Sequence, residues 1–123
     1  MMEDAHMRIE RELMRGAGPA AVLSLLARSE MYGYELVDAL ATTTKGVLEM
    51  GQSTLYPMLY NLEAKGFVTS ERRASEQGRQ RKYYSLTDAG RTRLASERKQ
   101  WQAVTNAMQT LGVTRQFFLL QPA

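Results

Sequence analysis

Five cations crowd the segment 67–86: Arg72, Arg73, Arg79, Arg81 and Lys82 stand against only Glu71 and Glu76, so this stretch carries +3. Guanidinium and ammonium groups at that density are the counter-charges that a polyanion's phosphates require. Just upstream, Ser53, Thr54, Tyr56, Pro57, Tyr60, Asn61 and Ala64 fall on one side of a helical repeat whose other side is Leu55, Met58, Leu59 and Leu62. Hydroxyls donate to phosphate oxygens, asparagine pairs bidentately with adenine, and aromatic rings meet thymine methyls. Such a face can read bases as well as grip a backbone. Tyr56 and Tyr60 can equally cover the domain's own surface, and the residue types alone favour neither reading. The charge of 67–86 is what favours nucleic acid.

That charge is local. The whole 123-residue chain also sums to +3, so outside 67–86 it balances at 11 basic and 11 acidic residues. By halves, 1–66 carries −3 and 67–123 carries +6. A basic half suits nucleic acid or an anionic membrane surface, with a merely solvated face as the plain alternative. There is no cysteine and one histidine, His6. Disulfides, thiolate metal centres, cysteine nucleophiles, a Ser-His-Asp triad and a multi-histidine metal site within one chain are therefore excluded. No glycine-rich loop cradles phosphate, so the expectation is a non-enzyme without metal or cofactor. No apolar run is long enough to span a bilayer, and acids stand where a signal peptide needs cations. A cytoplasmic protein with no membrane partner is expected.

Length suits one domain. Residues 3–15 read as a short charged helix with Met7, Leu13 and Met14 as apolar members, interrupted by Gly16 and Gly18-Pro19. A buried first helix then runs from Pro19 to Arg28 on Val22, Leu25 and Leu26. Leu36, Val37 and Leu40 predict a second helix over 33–43, with Glu35 and Asp38 outward. A third begins at Ser53 as N-cap and stops at Gly66, which puts Pro57 at the fourth helical position. An earlier start would leave a distortion at Pro57. Residues 67–73 and 79–86 flank ASEQG as a hairpin, with Lys82, Tyr84 and Leu86 on the inward parity. Thr87 caps a last helix, with Asp88 in its first turn, that reaches Leu111 before Gly112. At 1.5 Å per residue it is ~36 Å long.

Three helices followed by a basic hairpin is the winged helix-turn-helix order, a mainly α fold with a small β-hairpin whose third helix enters the major groove. The expected division is an N-terminal arm or helix over 1–18, a winged-helix domain over 19–86, a dimerisation helix over 87–112 and an apolar tail over 113–123. In the last helix Leu94, Trp101 and Met108 repeat every seven residues and Val104 and Leu111 take the matching d-like places, broken only by Glu97. That stripe can pack back on its own subunit, but so long a helix outruns so small a core, which favours a homodimer. Phe117, Phe118, Leu119 and Leu120 are expected to fold back on that dimer.

Four motifs in register also resemble a family. Met14-Arg15-Gly16, Met31-Tyr32-Gly33-Tyr34-Glu35-Leu36, the run Thr54-Leu55-Tyr56-Pro57-Met58-Leu59-Tyr60-Asn61-Leu62-Glu63 with Gly66, and Lys82-Tyr83-Tyr84-Ser85-Leu86-Thr87-Asp88-Ala89-Gly90 are similar to the marks of the PadR family of bacterial transcriptional regulators. The resemblance implies a dimeric repressor of double-stranded DNA at a palindromic operator, released by a small molecule or stress signal. It carries DNA contact onto Ser53, Thr54, Tyr56 and Pro57 in the recognition helix and Arg79, Arg81 and Lys82 in the wing. It also implies a cavity at the dimer centre for a small aromatic effector, with Trp101, Val104 and Met108 as its lining; the plainer alternative is that Trp101 simply anchors the interface. Two departures from the pattern stand out. Ser53 stands where the family often has Gly, and Tyr60-Asn61 where a Lys-Arg-like pair is common, so affinity is expected to lean on the wing. The competing function is a winged-helix interaction module that uses the same face for an acidic protein.

Overall fold

A buried cluster of leucines, valines and methionines with one tyrosine organises the chain, and each helix contributes the stripe that its 3.6-residue period brings to one side. A computed structural model describes residues 7–115. In chain order the elements are α1 (Arg11–Leu26), β1 (Met31–Tyr32), α2 (Gly33–Thr43), α3 (Gln52–Ala64), β2 (Val68–Ala74), β3 (Gln80–Leu86) and α4 (Asp88–Leu111). The sheet is antiparallel with order β1-β3-β2. This is a winged helix-turn-helix: mainly α, with a small sheet.

The first helix differs from expectation. Gly16, Gly18 and Pro19 do not interrupt it; one continuous α1 contains all three, and residues 7–10 precede it without helical structure. The expected boundary between 18 and 19 thus falls inside a helix. Gly18 is there for packing, because a Cβ at that position would lie 2.6 Å from the Met58 methyl and 3.3 Å from that of Met50. The ends of two methionine side chains fill the space that a side chain at position 18 would take, so a larger residue there has to displace them. Of the apolar residues expected on the N-terminal segment, Met14 is buried while Met7 and Leu13 are exposed.

α2 has the expected span. α3 starts two residues early, with Gly51 as N-cap instead of Ser53. Pro57 therefore takes the sixth position, yet the helix runs through it. The missing bond would have gone to the carbonyl of Ser53, a residue on the exposed side where water can serve it. Gly66, at φ 81°, ends the helix: its N–H donates to the Glu63 carbonyl and that of Phe67 to the Leu62 carbonyl. Gly112 closes α4 in the same way, and Thr87 caps α4 by accepting from the Gly90 N–H at 3.0 Å.

Tyr84 sits at the centre of β3 with no exposed surface, on the expected inward parity, and its hydroxyl has no hydrogen-bond partner among the described residues. Burial, helped by Tyr60, Glu63 and Tyr56, pushes its pKa up from 10.0 to about 12. Above pH 10 the unfolded chain therefore binds fewer protons than the folded one, and stability falls as pH rises. The loss from this group should reach about 2 kcal/mol by pH 12. Tyr84→Phe should remove that part of the alkaline loss and, with no buried hydroxyl left unpaired, raise stability at neutral pH by about 1 kcal/mol. Urea unfolding of both chains at neutral and alkaline pH checks this; identical alkaline losses would contradict it.

Candidate nucleic-acid interface

The wing's cations are held in different ways. The guanidinium of Arg73 lies 4.2 Å from the Tyr83 ring centroid and pairs with the Glu30 carboxylate, a hydrogen bond that raises its pKa further above the ordinary guanidinium value. Arg73 is thus already paired with a carboxylate of its own chain, at a partly exposed site. Arg81 stacks 4.2 Å over Tyr32, and its Nε is buried with no partner among the described residues. Lys82 Nζ is 5.5 Å from the Tyr60 centroid and 5.7 Å from that of Tyr84. Cation–π contacts of this kind fix a side chain's position while leaving its charge unneutralised. Arg79, beside the turn, is exposed and has no ion-pair or side-chain hydrogen-bond partner among the described residues. The register also sets Arg72 opposite Lys82 and Arg73 opposite Arg81. Like charges directly opposite one another destabilise a strand pair.

Ser70 Oγ donates to Glu63 at 2.7 Å, tying the base of the wing to α3. At the other end of α3 a hollow of about 390 Å³ is lined by Tyr34, Gln52, Tyr56, Arg79, Arg81 and Lys82. Three cations from β3 and its turn therefore meet the start of the recognition helix across one open space.

The polar face of α3 is divided among three directions. Ser53, Pro57 and Tyr60 are exposed. Tyr56 is half-buried and leans toward α2, its hydroxyl filling the space where Gly33 lacks a side chain: a Cβ there would lie 2.2 Å from the Tyr56 oxygen. It serves as a strut between α2 and α3 and as part of the hollow. Its ring is 6.1 Å from that of Tyr60. Thr54 borders a second hollow toward the start of α1. Asn61, though exposed, borders a third, with Pro19, Lys65, Arg93 and Glu97, on the flank away from the wing. The face is wider than one contact surface.

Sequence reasoning passed over Gln52, Tyr34 and the Tyr32 platform. Tyr32 and Tyr34 flank Gly33 in a recognisable motif, but the short β1, which pairs Tyr32 with Tyr83, is too brief to leave an alternating pattern, and Gln52 precedes the expected start of α3.

On α4, Leu94 is only 4% exposed in the single chain. It belongs to the domain's own core and has no surface left for a partner, which corrects its place in the interface stripe. The stripe continues past the edge of the core, where Trp101, Val104, Met108 and Leu111 are exposed at 39%, 44%, 38% and 74%. Glu97, the break in the stripe, is paired with Arg93 at 2.8 Å. The apolar tail residues Phe117 to Leu120 lie outside the described residues. Among the described residues no cluster of His, Cys, Asp or Glu could hold a metal ion, and no helix is long and apolar enough to cross a membrane.

Three helices, a helix with a polar outer face and a tyrosine-braced basic wing together define a winged-helix protein of the helix-turn-helix class. The chain belongs to the PadR-like family of transcriptional regulators, whose model matches residues 22–96. It is a regulator, not an enzyme. It is 36% identical over 89 residues to the transcriptional regulator Rv3488 of Mycobacterium tuberculosis, covering 72% of this chain and 79% of that one. A PadR family transcriptional regulator from Eggerthella lenta is similar in structure, with a TM-score of 0.72 and 36% identity over 85% of this chain and 88% of that one. Bacillus subtilis PadR, solved in complex with operator DNA, has a TM-score of 0.58 and 28% identity over 63% of this chain. Of that protein the match covers 44%.

Proposed function

We propose that the protein is a homodimeric repressor that binds double-stranded DNA at a palindromic operator and is released by a small aromatic effector. One observation carries the DNA reading: Arg79, Arg81 and Lys82 converge with Gln52 and Tyr56 on one hollow beside the exposed side of α3. Arg81 and Lys82 are positioned by tyrosine rings and not by carboxylates, so their charge is left for phosphate. The likeness to a relative solved with operator DNA supports the same reading. Dimerisation is supported by the exposed Trp101, Val104, Met108 and Leu111. In a dimer built on α4, Trp101, Val104 and Met108 of both copies would meet near the two-fold axis, where a flat aromatic ligand could insert between them.

Selection of bound sites from a random DNA pool should enrich an inverted repeat with half-sites about one helical turn apart. Adding an effective aromatic compound should reduce the enrichment and quench Trp101 fluorescence. Sedimentation should give a dimer that Trp101→Glu converts to monomer without unfolding the winged domain. Failure to enrich any site would favour the alternative, a module that binds an acidic protein through the same surface.

A further inference from the structure

α3 has two flanks, and the wing accounts for one. The other flank is cationic as well, although no local sum of charges shows it, because Glu10 and Glu12 are interleaved with the arginines. Arg8, Arg11 and Arg15 line, with Glu49, Gly51 and Thr54, an open hollow of about 600 Å³ between the start of α1 and the start of α3. Arg11 and Arg15, four residues apart in α1, share one side of that helix, and Arg8 joins them from the extended segment that precedes it.

The base beneath these arginines is fixed. Ile9 packs against the core and donates its N–H to the Val47 carbonyl at 3.3 Å, and Met14 is buried. The side chains themselves are lightly held. Arg8 meets Glu49 at 3.9 Å and Arg15 meets Glu12 at 3.6 Å, with all four side chains well exposed. Surface pairs of this kind contribute little and exchange readily for a stronger anion. Arg11 has no carboxylate partner within salt-bridge distance among the described residues.

The geometry points to a second phosphate grip: Arg8, Arg11 and Arg15 hold the DNA backbone along the flank of α3 that faces away from the wing. A helix in a major groove about 12 Å wide has a phosphate strand on each side. The wing serves one strand and the α1 row serves the other, so α3 between them needs no charge of its own. The inference rests on the DNA-binding reading above and adds to it the contact that replaces the absent Lys-Arg-like pair at Tyr60-Asn61.

The test compares the unmodified protein with Arg11→Ala/Arg15→Ala and with Arg98→Ala, a change at an exposed α4 residue that borders none of the hollows. Affinity for a selected and for a scrambled duplex is measured by fluorescence anisotropy across a range of salt concentrations. The double variant should flatten the log K against log salt slope by about 2 for each bound chain, and weaken both duplexes by about fiftyfold per chain at 0.1 M salt. Arg98→Ala should leave the slope unchanged, and all three proteins should melt together. Hydroxyl-radical footprints of the double variant should lose protection on one flank of each half-site and keep it on the wing side. An unchanged slope and footprint, while the unmodified protein binds with steep salt dependence, would overturn the second grip alone. Absence of salt-dependent binding by the unmodified protein would overturn the DNA reading together with it.

Discussion

A chain carrying Arg79→Ala, Arg81→Ala and Lys82→Ala should keep its fold but lose most of its affinity for DNA, with the log K against log salt slope flattened by about 2 to 3 for each bound chain. The three cations border one hollow with Gln52 and Tyr56 and have no carboxylate partners among the described residues, so each charge removed is one phosphate neutralisation lost. Loss should be uniform across sequences, because phosphate contacts carry no base information. Arg73→Ala makes the contrast within the same hairpin. That guanidinium already pairs with Glu30, so its removal should cost some stability and leave the salt slope nearly unchanged. Anisotropy titrations over a salt series separate the two outcomes. A triple variant with the unmodified slope would show that the wing does not meet the backbone.

Gly90→Ala should be the most damaging single methyl in the domain. A Cβ at this position would lie 2.0 Å from the Phe67 carbonyl oxygen, a backbone atom with little room to move. That same oxygen accepts the Thr87 N–H at 3.1 Å, while the Thr87 hydroxyl donates to the Gly66 carbonyl at 2.7 Å. The methyl therefore pushes apart the joint at which α3, β2 and α4 meet. A loss of about 3 kcal/mol is expected, in the range of severe overpacking. Gly16→Ala provides the opposite case. Nothing lies within 4 Å of its Cβ position and it is inside α1, so alanine there should stabilise by about 0.5–1 kcal/mol. Urea denaturation of the two variants should give changes of opposite sign; equal effects would mean that helix propensity, and not the contact at Phe67, decides both.

The glycines also explain where sequence and structure part. Gly66 and Gly112 are legible as helix ends because their work is local: each takes a positive φ and closes the turn behind it. Gly16, Gly18 and Pro19 look like the same punctuation, yet α1 runs through them, since Gly18 answers to Met58 and Met50 some thirty or more positions away. Close packing between helices has no local signature. The hairpin and α4 were readable from period and caps, while β1 was not, because two residues cannot show an alternation. The cationic wing was plain from composition. The sharing of α3 between two flanks was not, because one helical face says nothing about which neighbours stand beside it. Leu94 repeats with Trp101 and Met108 in sequence but is taken up by the domain's own core, a distinction that depends on where the core ends.

The cross-strand register has a consequence for how this hairpin can evolve. Arg72 faces Lys82 and Arg73 faces Arg81, so part of the wing's charge works against the pairing that displays it. Glu30 relieves one of these encounters from outside the sheet. The other has no carboxylate of its own among the described residues, and a nucleic-acid strand laid along the wing would complete it electrostatically. Substitutions that quiet this repulsion would make a sturdier hairpin and a poorer ligand for phosphate. Selection for a firm wing and selection for a firm grip therefore pull Arg72 and Lys82 in opposite directions.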